Sequence, residues 1–269
     1  MPSSIRPGDV LAGRYRLVDL LSESGDGRFW RAHDRVLERH VAIHVISAED
    51  ARAESLLEAA RRSATVLEPR ILRVLDAERS GGLCYVVNEW GQGTSLDIML
   101  ASGGVLTPRK AAWIAGEVAG ACRYAHHRGV PHGRLNPENV LVDTSGSVRV
   151  IGWAVDAALH GRPAGTTEDD LADLAAVLYA GLTGRWPGRS DSAVPHAPRD
   201  HGQVLRPRQV RAGIPRTLDE ICDAVLNPGR EQTPDAPTTV AGVVAALDDF
   251  VGDPTGIPEA LVQRLVARG

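Results

Sequence analysis

The chain has 269 residues, 43% hydrophobic and 24% charged, and a net charge of −4; that suits a globular protein with one large two-lobed domain and gives no electrostatic footprint for nucleic acid. Its three cysteines, Cys84, Cys122 and Cys222, are far apart and form no Cys-x-x-Cys pair, which argues against disulfides and structural zinc and for a reducing compartment. There is no uncharged apolar run of about 18 residues to span a membrane and no secretory leader pattern at the start, so a cytoplasmic location is expected.

The first third reads mostly as strands. Tyr15–Leu21 alternates, Arg28–His33 is a second run, and Val41–Ile46 a third, with Val41, Ile43 and Val45 on one face. The turn cluster 22–27 joins the first two runs as a hairpin. Residues 50–67 read as a helix with Leu56, Leu57, Ala60 and Ala64 on one face, and Cys84–Trp90 as another strand.

From residue 94 the pattern turns helical. Thr107-Pro108 is a helix start and Gly129 a stop. Val140–Val142 and Val148–Ile151 flank a hairpin turn at Asp143–Gly146. Thr167, with Asp170 three residues on, opens a further helix. Residues 187–213 read as loop with one short helix. Helices follow at Leu218–Val225, Val240–Val251 and Leu261–Val266.

Several segments occur in a telling order. Arg14–Leu17 leads into the 22–27 turn, then Val41-Ala42-Ile43-His44, then His132-Gly133-Arg134-Leu135-Asn136-Pro137-Glu138-Asn139. Val148–Ala154 follows, and Asp170–Pro187 closes with Leu182-Thr183-Gly184-Arg185-Trp186-Pro187. This series resembles the eukaryotic-like (Hanks-type) Ser/Thr protein kinases, segment for segment and over nearly the whole chain. The resemblance implies an α+β, bilobal protein-kinase-like fold with a small β-rich N-lobe and a larger helical C-lobe. The expected domain covers residues 1–252, with the N-lobe at about 1–91 and the C-lobe at about 92–252; residues 253–269 are expected to be a linker and short helix.

The chemistry that the resemblance implies is interrupted at each step. In the phosphate loop, GxGxxG becomes Ser22, Ser24 and Gly27, flanked by Glu23 and Asp26. His44 stands where the VAIK lysine should be, and the only lysine in the chain, Lys110, is elsewhere. Glu58 or Glu54 is the candidate partner for His44, although Ala59 also fits that position; His44 simply packing is the plainer reading. Arg134 replaces the HRD aspartate, and a guanidinium cannot act as a base at neutral pH. Asn136 replaces the nearby lysine. Asn139, a metal ligand in the family, remains. Gly152 replaces the DFG aspartate, and between His127 and Val155 only Glu138 and Asp143 are acidic, neither placed as a substitute. Trp153 and Ala154 are expected to fill the space between lobes. Little more than a dozen residues separate Ala154 from Asp170, and no APE motif follows. Arg230 therefore lacks its usual glutamate.

Together these substitutions give the expectation of a catalytically degenerate domain that is not an enzyme, binds Mg-ATP weakly and uses no cofactor or metal. The nearest resemblance is to the cytoplasmic pseudokinase domains of the actinobacterial MviN family, whose membrane part resembles the peptidoglycan-precursor flippase. That implies a phosphorylation-dependent scaffold controlling cell-wall synthesis. Its expected partners are an upstream Ser/Thr kinase and a protein with a phosphothreonine-reading forkhead-associated (FHA) domain. No contact with nucleic acid is expected, and none with the membrane except through a tethering membrane protein. The alternative is an atypical nucleotide sensor or a weakly active kinase. Thr255, in the Pro/Gly-rich stretch Gly252–Pro258, is the leading candidate phosphosite, with capping of the terminal helix as its competing role; Thr233 is second.

Overall fold

The computed structural model describes residues 5–24, 27–230 and 236–266. The N-lobe sheet holds β1 (Val10–Leu11), β2 (Tyr15–Ser24), β3 (Gly27–Asp34), β4 (Arg39–Ser47), β5 (Val74–Ser80) and β6 (Leu83–Glu89). Its spatial order is β1-β2-β3-β4-β6-β5, antiparallel throughout. The alternation read for β4 holds. Val41, Ile43 and Val45 join Tyr15, Leu17 and Trp30 in a core on one face. On the other face Ile46 packs with Leu56, Leu57 and Ala60 of α1 (Ala53–Ala64). In β2 the register with β3 shifts between Leu17 and Asp19 and again between Leu20 and Ser22. These bulges break strict alternation and leave Leu20 and Leu21 exposed. β5 has no sequence signal because it is an edge strand carrying charged and partly exposed residues.

The C-lobe begins with β7 (Thr94–Ser95), α2 (Leu96–Gly103) and α3 (Pro108–His126). A 3₁₀ turn at Pro137–Asn139 leads into β8 (Val140–Val142) and β9 (Val148–Val150), followed by α4 (Val155–Leu159) and α5 (Thr167–Thr183). After these come β10 (Arg199–Asp200), β11 (Gln203–Val204), α6 (Pro207–Val210), α7 (Arg216–Leu226), α8 (Val240–Val251) and α9 (Ile257–Val266). α3 is the hub. Its buried Ala112, Ile114, Ala115 and Val118 share one core with Leu174 and Leu178 of α5 and with Val243 and Leu247 of α8. α9 docks on the same core through Ile257 and Leu261, while Lys110 Nζ donates to the Ala260 carbonyl at 2.8 Å. Among the described residues, no helix is long and apolar enough to cross a membrane.

The start of α5 differs by one residue from the expected box. Thr166 caps it: Asp169 N donates to Thr166 Oγ1 at 3.1 Å, and Asp169 Oδ2 accepts from Thr166 N at 3.1 Å. Asp170 is freed for another task. Its carboxylate accepts from His132 N at 2.7 Å and Gly133 N at 2.8 Å and lies 2.7 Å from His126 Nε2. This fully buried group fastens the 132–139 loop to the C-lobe.

Candidate functional site

The cleft lies between the lobes, and its walls follow from the strand pattern. Alternation along β4 points Ala42 and His44 away from the N-lobe core. With Leu72, Leu141 and Ile151 they line a largely apolar cavity of about 400 Å³. Phe29 stacks on His44, with ring centroids 4.2 Å apart and planes 15° apart. Burial pushes the imidazole down to about 4, against the opposing pull of Asp156. His44 is therefore neutral at pH 7 and is held by stacking. Glu58 does not reach it; it is exposed and sits 3.4 Å from Arg61. Glu54 is exposed too, and Ala59 is buried on α1.

The 132–139 loop forms the floor. Asn136 caps the 3₁₀ turn, accepting from Asn139 N at 3.1 Å. Asn139 is buried, and among the described residues its Oδ1 has no hydrogen-bond partner. Arg134 Nη1 donates to Asp156 Oδ2 at 2.6 Å, with the side chains only 10% and 14% exposed. A guanidinium locked on a carboxylate thus occupies the place of the expected base. His160 Nδ1 lies 3.6 Å from Asp156 Oδ1 on the opposite side.

Gly152 takes φ +75°, and a Cβ there would meet Asp156 Cβ at 2.9 Å and Asn139 Nδ2 at 3.4 Å. The hole left by glycine is filled by Asp156. Sequence reading missed this carboxylate because it falls one residue past the stretch searched for ligands, and only the turn of backbone into α4 swings it back. The signal was available: an acidic residue four positions after the glycine, at the opening of a helix. Glu138 binds elsewhere, accepting from Ser192 Oγ at 2.8 Å and Ala193 N at 2.6 Å. Asp143 is spent in its hairpin turn on Ser145 and Ser147. A metal fits these residues poorly, because the carboxylate beside Asn139 is already neutralised by Arg134. Trp153 turns toward the C-lobe rather than bridging the lobes: its Nε1 donates to the Val130 carbonyl at 2.9 Å and its ring meets His132 edge-on.

At the hairpin, β2 and β3 pair through to Ser24 opposite Gly27, and Glu23 holds Arg28 at 2.8 Å. Gly25 and Asp26 lie outside the described residues. Arg230 bonds Asp223 at 3.1 Å and Gln203 at 3.0 Å. Thr255 is exposed before α9, and its hydroxyl donates to Asp253 at 2.7 Å. Thr233 lies outside the described residues.

A family model described as protein kinase domain matches residues 15–169. A probable serine/threonine-protein kinase of Clostridium perfringens is 27% identical over 241 residues, covering 80% of this chain and 35% of that protein. Serine/threonine-protein kinase PrkC of Bacillus subtilis is 26% identical over 242 residues, covering 80% and 37%. Serine/threonine-protein kinase PknH of Mycobacterium tuberculosis is 29% identical over 271 residues, covering 90% and 42%. The chain therefore spans well under half the length of these relatives. The crystal structure of Rad53 1–466 in complex with AMP-PNP matches with a TM-score of 0.66 and 16% identity, covering 88% of this chain and 65% of that one, which shows a shared fold. These findings correct the expectation of a chain that is not an enzyme. The proteins it resembles are named as serine/threonine-protein kinases, and the domain it matches is theirs.

Proposed function

Since this chain belongs to the protein kinase family, we propose that it works as a phosphorylation-dependent regulatory scaffold in which the family's phosphate transfer runs slowly. The observation carrying this reading is the Arg134–Asp156 pair at 2.6 Å. It places a permanent cation where a base is needed and ties up the Asp156 carboxylate, which borders Gly152 together with Asn139. A base and a charge-stabilising group each contribute about two or more orders of magnitude to such rates. Neutral His44 and side-chain-free Gly152 remove two further contributions to phosphate binding.

In this reading an upstream Ser/Thr kinase phosphorylates Thr255, and an FHA-domain protein reads the phosphothreonine through cationic and hydrogen-bonding groups. The exposed Gly252–Gly256 stretch offers the kinase and the reader accessible backbone, while Ile257 just beyond it is buried as α9 begins. Likeness to the MviN family adds a setting: tethering to a membrane protein and control of peptidoglycan-precursor export. Thr233 is the second candidate site.

The test couples two assays. Transfer from labelled ATP to a generic basic protein, with magnesium or manganese, is expected at least about a thousandfold below the 1–100 s⁻¹ usual for kinases. Phosphosite mapping after incubation with an active Ser/Thr kinase, then FHA-domain capture, is expected to report Thr255. Transfer at an ordinary kinase rate, or no phosphate-dependent capture, would overturn the proposal.

A second reading, an atypical nucleotide sensor, is favoured by the apolar interlobe cavity of about 400 Å³, which has the size and character of a small-ligand pocket. Calorimetry with ATP, with and without a divalent metal, separates the two readings.

A further inference from the structure

The interlobe cavity of about 400 Å³ is short of cations: no lysine or arginine lines it. His44, in its wall, is covered by the Phe29 ring. Phe29 and His44 also line a neighbouring cavity of about 390 Å³, and the two arginines there, Arg28 and Arg52, are held by Glu23 and Asp50. Two carboxylates do line the first cavity, Glu89 and Glu138. Arg73 binds Glu89 through its guanidinium and its backbone N–H.

Glu138 is compensated on one side only. Its Oε1 accepts from Ser192 Oγ and Ala193 N, while its Oε2 has no partner among the described residues. The next residue repeats the pattern: Asn139 is 5% exposed, and its Oδ1 is equally without a partner. Both residues belong to the 3₁₀ turn that Asn136 caps, so their backbone is fixed in the cavity wall. Buried acceptors are ordinarily satisfied, and two adjacent orphans in one wall call for a donor. An ammonium suits them: it carries three N–H donors and no acceptor, and its bonds to a carboxylate are charge-assisted.

The rest of the wall sets the body of the ligand. Leu72, Leu141 and Ile151 are apolar, and Ile98 of α2 lines the cavity while remaining 54% exposed. Apolar surface with a few convergent polar groups, in a volume of this size, is the character of a small-molecule site.

We propose that the interlobe cavity is a site for a small aromatic amine. Its ring packs against Leu72, Leu141, Ile151 and Ile98, and its protonated amino group donates to Glu138 Oε2 and Asn139 Oδ1. The charge selected is the opposite of a nucleotide's, and no metal takes part. The site stands apart from the scaffold reading, which concerns phosphate transfer and Thr255.

Calorimetry on the full chain, in a chelating buffer, with three indoles of similar shape tests the site: tryptamine, tryptophol and indoleacetate. Tryptamine is expected to bind about ten- to hundredfold more tightly than tryptophol, the range of a hydrogen bond to a charged group. Indoleacetate is expected to bind more weakly than tryptophol, and ATP, with or without added magnesium, more weakly than tryptamine. Glu138→Gln keeps the shape and removes the charge, and is expected to bring tryptamine down to the affinity of tryptophol. In wild type, nuclear Overhauser contacts from the indole protons to the Leu141 and Ile151 methyls locate the ring without any variant. Tryptamine binding no more tightly than tryptophol would overturn the proposal, as would tighter binding of indoleacetate or ATP, a preference that survives Glu138→Gln, or contacts outside the cavity.

Discussion

Replacing Arg134 with alanine leaves Asp156 as a carboxylate 14% exposed, with His160 at 3.6 Å as its remaining neighbour. Breaking a buried pair by removing one partner costs about 3–5 kcal/mol, because the other charge stays desolvated. The residual exposure and His160 argue for the lower end, about 3 kcal/mol. For a chain of this size each kcal/mol lowers Tm by about 2–4 °C, so Arg134→Ala is expected to melt about 6–12 °C below wild type. Asp156→Ala leaves the guanidinium stranded and is expected to cost a similar amount. The double variant removes both charges and is expected to regain about 2 kcal/mol of the summed loss. Urea unfolding of the four proteins closes the cycle. A single-variant loss under about 1 kcal/mol, or a coupling near zero, would refute the reasoning that this pair is a desolvated, tightly held lock.

The remaining predictions follow the same geometry. Gly152→Asp is expected to destabilise by about 2 kcal/mol or more, because it forces φ +75° on a side chain whose Cβ sits 2.9 Å from Asp156 Cβ; neither it nor Arg134→Asp alone is expected to raise phosphate transfer, since residues acting as a unit are non-additive. Burial on α5 pushes the Asp173 carboxyl up to about 7 in the folded state, against 3.8 unfolded. Its protonated form is favoured by folding, so its contribution is full below about pH 4 and is lost as pH rises to 7, at most about 4 kcal/mol by linkage. Asp173→Asn is accordingly expected to be more stable than wild type at pH 8, with the gap narrowing toward pH 5 in urea titrations; a constant gap would contradict the shift. Thr255→Ala is expected to abolish FHA capture while changing stability by no more than about 0.5 kcal/mol, because the lost hydroxyl contact is exposed.

Much of this fold was legible in the residues. Alternation in Val41–Ile46 identified both the buried face and the one that carries His44 into the cleft, because a half-buried strand writes its period into the sequence. β5 was invisible for the opposite reason: an edge strand bearing Asp76, Glu78 and Arg79 has no apolar period to read. The cap of α5 was misplaced by one residue because Thr166 and Thr167 are both acceptable caps, and only tertiary demand on Asp170 decides between them. At the site, each substituted position was visible as a missing side chain, but what fills the gap was not. Asp156 reaches Gly152 and Arg134 through the bend into α4, a three-dimensional return that spacing alone does not encode. The unusual state of Asp173 was equally hidden, since burial rather than residue type sets it.

The most direct measurement is single-turnover phosphate transfer from ATP by wild type and by Arg134→Asp/Gly152→Asp/His44→Lys, the variant that restores base, metal ligand and lysine together. Wild type is expected to transfer at least about a thousandfold more slowly than the 1–100 s⁻¹ usual for kinases, and the triple variant, if it folds by circular dichroism, to gain at least about tenfold. Wild type reaching an ordinary kinase rate would contradict the account, because the Arg134–Asp156 pair would then be compatible with full chemistry.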